Sequence, residues 1–351
     1  MHHAGYREDG WELDVITFGA IDDATDAAER RSIGFICDLI TGRESKTGAE
    51  ALAEHASVAN LKNLAEMLHR IRRDYERASV TRVGRRGSTV TITINDNDRL
   101  HDWVFDMDRD GRVAAFVSAR HIEGVTFQVG PPRGLSENDR ADLRRLFALA
   151  YTNSDPSYLD AQLDALDVAA IARRDGEVVG FLVRGLQMIE TERLGRIAVG
   201  LPGLMCVSPA EQRSGIGEAL GNRAAWPLFI EKGNQDAAAL RLATPASLAM
   251  VVKQQPAFTW PTTDDLWALY DRPTPVQVEF ADLAARAHGG KGYDPATGAC
   301  IGLGHPIGVP NVEPDVPDEF LERFAAIDRD RGDTLLYVRW MAEPPPLWFE
   351  V

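Results

Sequence analysis

The sequence predicts an α+β protein of two domains, residues 1–130 and 134–351. Three features carry that prediction. A helix-periodic stretch from Asp22 to about Arg77 gives way to four short alternating segments. A Gly/Pro cluster, Val129-Gly130-Pro131-Pro132-Arg133-Gly134, then interrupts all periodicity. Beyond it the order changes to helix, helix, hairpin, apolar strand, glycine-bearing turn and helix.

In the first domain the helical stretch repeats apolar residues at Leu52, Ala56, Leu61, Leu64, Leu68 and Ile71. Its cluster Arg70, Arg72, Arg73 and Arg77 is interleaved with Glu66, Asp74 and Glu76, so it reads as a solvated face. The alternating segments fall at about Ser79–Val83, Ser88–Ile94, Trp103–Asp106 and Val113–Ala119, separated by polar turns. Asp106-Met107-Asp108-Arg109-Asp110-Gly111 begins like a calcium loop, but position twelve is Val117 and strands flank it. A hairpin turn is the simpler reading. Trp103 to Val113 resembles, weakly, the curved sheets of nuclear-transport-factor-like domains.

In the second domain Leu135–Ala150 is an amphipathic helix with Ser136 and Asp139 spaced as a capping box. A short helix is expected at Asp160–Leu166. Val168–Ala172 and Glu177–Val183 form a hairpin across Arg174-Asp175-Gly176, and Ile197–Val207 reads as a buried strand interrupted by Gly200, Pro202 and Gly203. A helix to about Lys232, a strand at Ala239–Ala243 and a helix from Pro245 follow. Mixed elements follow, with a helix at Asp318–Ile327 and a strand at Thr334–Trp340 in the final block.

Composition narrows the function classes. Of 351 residues 44% are hydrophobic and 26% charged, an ordinary globular balance. A net charge of -15 repels phosphate backbones and argues against a nucleic-acid partner. It weakly favours a cationic one. No apolar run reaches the ~18–20 residues of a membrane span, and the acidic first thirty residues do not read as a secretory leader. Cys37, Cys206 and Cys300 are too dispersed for a disulfide framework or zinc site, which suits a cytoplasmic location. His101, His121 and His305 share no metal-ligand spacing, and no metal site is expected.

The turn Gln212-Arg213-Ser214-Gly215-Ile216-Gly217 stands between the apolar strand and the following helix. A helix start carries unpaired N–H groups and partial positive charge, so it holds anions. Glycines at 215 and 217 clear side chains from a close backbone approach. Ile216, Leu220 and Ala224 keep one helix face apolar for docking on a sheet. The alternative is a plain strand-to-helix turn with Ser208 and Glu211 as a capping box. A dinucleotide fingerprint is excluded, because Leu220 stands where G-x-G-x-x-G requires glycine.

With this motif in its order of elements, the region from about Leu135 to Phe258 resembles the GNAT superfamily of acyl-CoA N-acyltransferases. The likeness includes the Asp175-Gly176 hairpin with Val179-Gly180-Phe181, and Gly203-Leu204-Met205-Cys206-Val207-Ser208-Pro209 ahead of the glycine turn. The resemblance implies a mixed, splayed sheet with flanking helices, and acetyl-CoA as cosubstrate. In it the backbone of Met205 and Val207 pairs with the pantetheine arm, and Gln212, Arg213, Ser214, Gly215, Ile216 and Gly217 hold the diphosphate. It implies acetyl transfer to a primary amine of a small molecule or protein by direct attack. Pro261–Val351 then resembles the long C-terminal portion of some GNAT-like proteins.

Direct attack needs an uncharged amine and an acid for the departing thiolate. Glu190 and Glu192, after the second hairpin strand, are candidate bases; alternatively they belong to a solvated turn with Arg193 and Arg196. Where the family carries a tyrosine acid, Thr244–Met250 offers Ser247 and Leu248 instead. Tyr270 is the nearest later tyrosine. Tyr151 and Tyr158 flank the first two helices as pocket or packing residues, and Cys206 reads as a buried thiol. The missing tyrosine keeps open a non-catalytic acyl-CoA sensor, with a ligand-binding scaffold as a further alternative.

Overall fold

The computed structural model describes residues 5–7, 10–12, 31–32, 34–35, 52–58, 61, 65, 79–86, 88–96, 99–232, 235–245, 247–248, 251, 273–302, 304, 306–310, 316 and 318–340. Most of the expected helix at Asp22–Arg77, most of the helix from Pro245, and Cys37, Tyr270 and His305 lie outside the described residues. The chain divides into two compact units, residues 1–123 with 221–233, and residues 124–220 with 234–351.

Unit 1 contains a small ribbon of β1 (Gly5–Arg7) and β2 (Gly10–Glu12). Its main sheet is an antiparallel meander of β3 (Ser79–Arg86), β4 (Thr89–Asp96), β5 (Arg99–Met107) and β6 (Val113–Arg120). Strand alternation turns Val90, Ile92, Ile94, Trp103, Phe105 and Phe116 inward. Trp226 meets Phe116 edge-on at 4.7 Å. The Asp106–Gly111 sequence is the turn between β5 and β6, where the Asp108 carboxylate accepts from the N–H groups of Asp110 and Arg112, both at 2.9 Å. The meander matches the alternating pattern; its likeness to nuclear-transport-factor-like sheets remains an expectation.

Unit 2 is mixed α+β. In chain order it comprises β7 (Val125–Gly130), α1 (Glu137–Ala150), β8 (Tyr151–Thr152), α2 (Pro156–Ala165), β9 (Val168–Arg174), β10 (Glu177–Thr191) and β11 (Gly195–Val207). There follow the start of α3 (Ile216–Lys232), β12 (Ala237–Leu242), α4 (Pro275–Ala287), β13 (Gly292–Asp294), β14 (Ala299–Ile301), β15 (Val309–Pro310), α5 (Asp318–Ala325) and β16 (Thr334–Trp340). Among the described residues the sheet order is β13-β14-β16-β12-β11-β10-β9-β7. β7 runs into the first two residues of the Gly/Pro cluster and pairs with β9. The compact unit therefore begins at Gly124, because the strand's partners are set by pairing across more than forty residues.

Local chemistry explains the elements that frame the site. Ser136 and Asp139 form the capping box of α1. α2 begins at Pro156, earlier than its apolar pattern, because the Asp155 carboxylate accepts from Ser157 N–H at 2.9 Å and proline suits a first helical position. Asp175 and Gly176 both adopt positive φ, 52° and 86°, which closes the β9–β10 hairpin tightly. A core of Leu143, Phe147, Leu159, Ile171, Phe181, Val199, Phe280 and Tyr337, among others, fills the space between sheet and helices.

Candidate functional site

The site starts from a long strand whose two sides are treated differently. β11 pairs with β10 along most of its length, from Gly195↔Thr191 to Val207↔Gly180. Its parallel pairing with β12 is confined to Val199↔Ala237 and Gly200↔Ala238. There the strands are clamped: Asp236 N–H donates to Ala198 O at 2.7 Å, and Ala198 N–H donates to the Asp236 carboxylate at 2.8 Å. Beyond Gly200 and Ala238 they part. The edge of β11 from Leu201 to Val207 that faces away from β10 has no strand partner among the described residues. Unpaired peptide groups at such an edge accept an extended ligand as a strand would.

Two irregularities shape the opening. Between the pairs Leu182↔Met205 and Arg184↔Pro202 the two residues Gly203 and Leu204 face the single Val183, a β-bulge that re-aims the β11 backbone. A Cβ at Gly203 would lie 2.3 Å from Leu166 Cδ1, 2.8 Å from Gln162 Oε1 and 2.9 Å from Val183 O, so this close approach of α2 requires glycine. Between Val178↔Arg173 and Gly180↔Ala172 the extra residue is Val179, whose carbonyl accepts from Ser208 N–H at 2.8 Å. That bond fixes the chain as it leaves β11.

The glycine turn follows immediately. A short 3₁₀ turn, Pro209–Glu211, is anchored by a fork in which Arg174 Nε and Nη2 donate to the Glu211 carboxylate at 2.6 and 3.1 Å. Glu211 is thus committed to Arg174, and Ser208 makes no side-chain capping bond. The plain capping-box reading of this turn does not describe it. Arg213 and Gly215 adopt positive φ, 67° and 92°, so the backbone alternates in hand as it does in anion-binding nests. Ser214 Oγ braces the turn by donating to Glu211 O at 2.7 Å. The first N–H groups of α3 have no intrahelical acceptor.

This geometry brings several of the expected binding residues together. A Cβ on Gly217 would stand 3.5 Å from Met205 Sδ and 3.9 Å from Val207 Cγ2, so the turn lies directly beside the outward side chains of β11. Gly180 lets α3 approach the sheet: a Cβ there would lie 2.9 Å from Ile216 Cγ2 and 3.1 Å from Leu220 Cδ1. Gln212 and Arg213 are exposed, while Ser214, Gly215 and Gly217 are half-buried. From Val207 back to Gly203 is four strand positions, roughly 13 Å. A linear arm laid along this edge from the turn therefore reaches the bulge.

The expected bases lie elsewhere. Glu190 pairs with Arg196 near the far end of the β10–β11 hairpin, and Glu192 sits in its tip with its N–H bonded to the Glu279 carboxylate at 2.6 Å. Both side chains are exposed. Six strand positions, roughly 20 Å, separate Glu190 from Arg184 beside the bulge. The structure does not bring either glutamate to the parted strands, because the hairpin runs on to Thr191 well past the bulge.

A buried polar cluster that the sequence did not single out occupies that place. Ala239 is the first β12 residue beyond the last parallel pair, and its carbonyl accepts from His288 Nε2 at 2.6 Å. His288, at the C-terminal cap of α4, is fully buried; burial and, next, the Arg241 guanidinium pull its pKa down to about 3. The ring is neutral, and because Nε2 faces a carbonyl it carries the proton. Gln162 of α2, 2% exposed, donates from Nε2 to His288 O at 3.2 Å. Arg241 donates to His288 O at 3.4 Å, Thr334 Oγ1 at 3.1 Å and Gly332 O at 3.3 Å, and lies 5.5 Å over the Tyr158 ring. Burial pushes the Tyr151 and Tyr158 phenols and the Cys206 thiol upward, so all three keep their protons. Among the described residues Gln162 Oε1 and His288 Nδ1 have no hydrogen-bond partner. Each unpaired buried acceptor costs about 1–3 kcal/mol. The sequence signal that leads to His288 is the capping box Thr274-Pro275-Val276-Gln277, which starts the helix His288 ends.

Unit 1 has its own buried polar cluster. The Asp102 carboxylate accepts from Thr93 Oγ1 at 2.8 Å, pairs with His121 Nδ1 at 2.8 Å and accepts from Arg223 Nη2 at 3.4 Å. Among the described residues no group of three or more His, Cys, Asp or Glu side chains is arranged to hold a metal ion. No helix among them is long and apolar enough to cross a membrane.

No family model matches the chain, and no curated protein matches it. Among solved structures, the chain is similar to a GNAT family acetyltransferase from Brucella melitensis in complex with acetyl-CoA, with 18% identity over 33% of this chain and 75% of that one and a TM-score of 0.25. It is similar to a ribosomal-protein-alanine N-acetyltransferase from Brucella melitensis biovar Abortus 2308, with 20% identity, 39% and 95% coverage and a TM-score of 0.29. A GCN5-related glucosamine N-acetyltransferase region of a fungal multi-domain β-N-acetylglucosaminidase matches with 22% identity over 33% of this chain and a TM-score of 0.26. The match spans only 13% of that multi-domain chain.

Proposed function

We propose that unit 2 binds acetyl-CoA and transfers its acetyl group to a primary amine by direct attack on the thioester, in the cytoplasm. One observation carries this reading: β11 and β12 part beyond Gly200 and Ala238, and the open edge of β11 ends in the glycine turn. Ser214 N–H already donates to Glu211 O and Ile216 N–H to Ser214 Oγ, so the backbone N–H groups of Arg213, Gly215 and Gly217 hold the diphosphate, with Gln212 and Ser214 at the rim. The pantetheine arm pairs with the Met205–Val207 edge. The thioester then lies at the bulge, where a re-aimed backbone N–H polarises its carbonyl. The acyl acceptor is a small-molecule or protein amine, and a cationic one is favoured by the acidic chain.

Titration with acetyl-CoA tests the binding half. At one hundred times Kd the ligand stabilises the protein by ~2.7 kcal/mol, and no thermal shift would remove the reading. Free-thiol release across a panel of primary amines tests the transfer half. A second reading, an acyl-CoA sensor without turnover, is favoured by the distance of Glu190 and Glu192 from the bulge and by Ser247 and Leu248 at the position of the missing tyrosine. It predicts the same stabilisation with no thiol release above background.

A further inference from the structure

The parted strands are bridged on one side by a polar chain, and that chain ends in two bare acceptors. On β11, Gln162 Oε1 lies against Gly203, 2.8 Å from where a Cβ would be. On β12, His288 Nε2 is bonded to Ala239 O. The two side chains are joined by Gln162 Nε2 donating to His288 O. That bond fixes the amide orientation, since a carbonyl partner demands the NH₂ end, so Oε1 points away from it. The Ala239 bond fixes the imidazole tautomer in the same way and leaves Nδ1 as a lone-pair acceptor. Gln162 is 2% exposed and His288 0%, and neither Oε1 nor Nδ1 has a donor among the described residues.

Two buried acceptors without donors, beside the bulge and the first parted residue of β12, match a ligand that brings N–H groups and a lone pair. We propose that Gln162 Oε1 and His288 Nδ1 seat the nitrogen of the acceptor amine, accepting its two N–H groups and aiming its lone pair at the thioester carbonyl. This inference rests on the acyl-CoA reading above. The Arg241 guanidinium, bonded to His288 O, belongs to the same cluster and repels an ammonium ion, so the seat takes the amine as its free base. The nitrogen lone pair forms the C–N bond and the C–S bond breaks with its electron pair on sulfur. The proton shed by nitrogen ends on that sulfur, giving an amide and free coenzyme A thiol. No carboxylate base is required, because the nucleophile arrives uncharged.

The test uses the full chain saturated with coenzyme A and methoxyamine as probe, a small amine that is uncharged at neutral pH. Nitrogen-15 spectra of the histidine rings follow His288 Nδ1 directly. The expected result is a saturable shift of Nδ1 as methoxyamine is added, and at least a tenfold weaker methoxyamine affinity in Gln162→Leu with coenzyme A affinity unchanged. A Nδ1 resonance that stays put, as it would if a trapped water filled the seat, overturns the inference and leaves the acyl-CoA reading standing. Unchanged methoxyamine affinity in Gln162→Leu overturns it as well. Failure of coenzyme A to bind removes both readings together.

Discussion

The two buried polar clusters, one in each unit, differ in how their acceptor atoms are filled. In unit 1 both oxygens of Asp102 are occupied, by Thr93 on one side and by His121 and Arg223 on the other. In unit 2 Gln162 Oε1 and His288 Nδ1 are left without donors at the head of two parted strands. A buried carboxylate with both oxygens occupied adds to the stability of the fold, whereas a buried acceptor without a donor costs stability until a partner fills it. The contrast is thus one between filled and unfilled acceptor atoms within one chain.

The largest effect is expected in unit 1. Burial lowers the pKa of Arg223 to about 10 while Asp102 works against that shift, so the guanidinium stays charged at neutral pH. Asp102→Leu removes the carboxylate from beside this buried guanidinium and costs about 3–5 kcal/mol in urea unfolding. Acetyl-CoA affinity should be unaffected. If the variant lost nucleotide binding and kept its stability, the contrast between the clusters would collapse.

The unit 2 cluster should show itself in acid. His288 has a folded pKa of about 3 against a reference value of 6.5. Below 6.5 the unfolded chain binds a proton that the folded state refuses, so its contribution to stability is full above 6.5 and is lost as pH falls toward 3. The slope approaches roughly 1.4 kcal/mol per pH unit for one group. Unfolding free energies measured across this window should fall less steeply in His288→Phe; an identical profile would mean that the ring is not held neutral.

Smaller effects separate the turn from the hairpin tip. Gly217→Trp should weaken acetyl-CoA binding at least tenfold by calorimetry, ~1.4 kcal/mol, with little change in melting temperature. Gly217→Ala should fall within threefold, because its methyl would make only ordinary contact with Met205. Smallest of all, Glu190→Gln with Glu192→Gln should change the thiol-release rate less than twofold. A fall of 10²-fold or more, the usual range for a lost general base, would place the proton transfer at the hairpin instead.

How far the sequence foretold this depends on the range of the signal. Ser136 with Asp139, Asp175-Gly176 and the Gly215–Gly217 turn are encoded within a few residues, and all were readable as the cap, hairpin and strand-to-helix bend they form. β7 was not, because Val125–Gly130 becomes a strand by pairing with residues 169–174, across a Gly/Pro cluster that reads as a boundary. Gln162 and His288 were harder still. They are 126 positions apart, and although the capping box at Thr274 marks the helix that His288 ends, nothing local marks either side chain as a member of a buried polar cluster. The extent of β10 mattered in the opposite sense: periodicity ended it at Val183, which left Glu190 and Glu192 in a connection within reach of an acceptor pocket, whereas the strand runs on to Thr191.

β11 also acts as a gauge. Leu204 and Cys206 point into the core while Met205 and Val207 point outward, and these four residues span the distance from the bulge to the turn. Adding or deleting one residue there would exchange the inner and outer sets. A change of two residues would keep the same side chains facing the core, while a change of one has to be absorbed in a bulge such as that at Gly203 and Leu204.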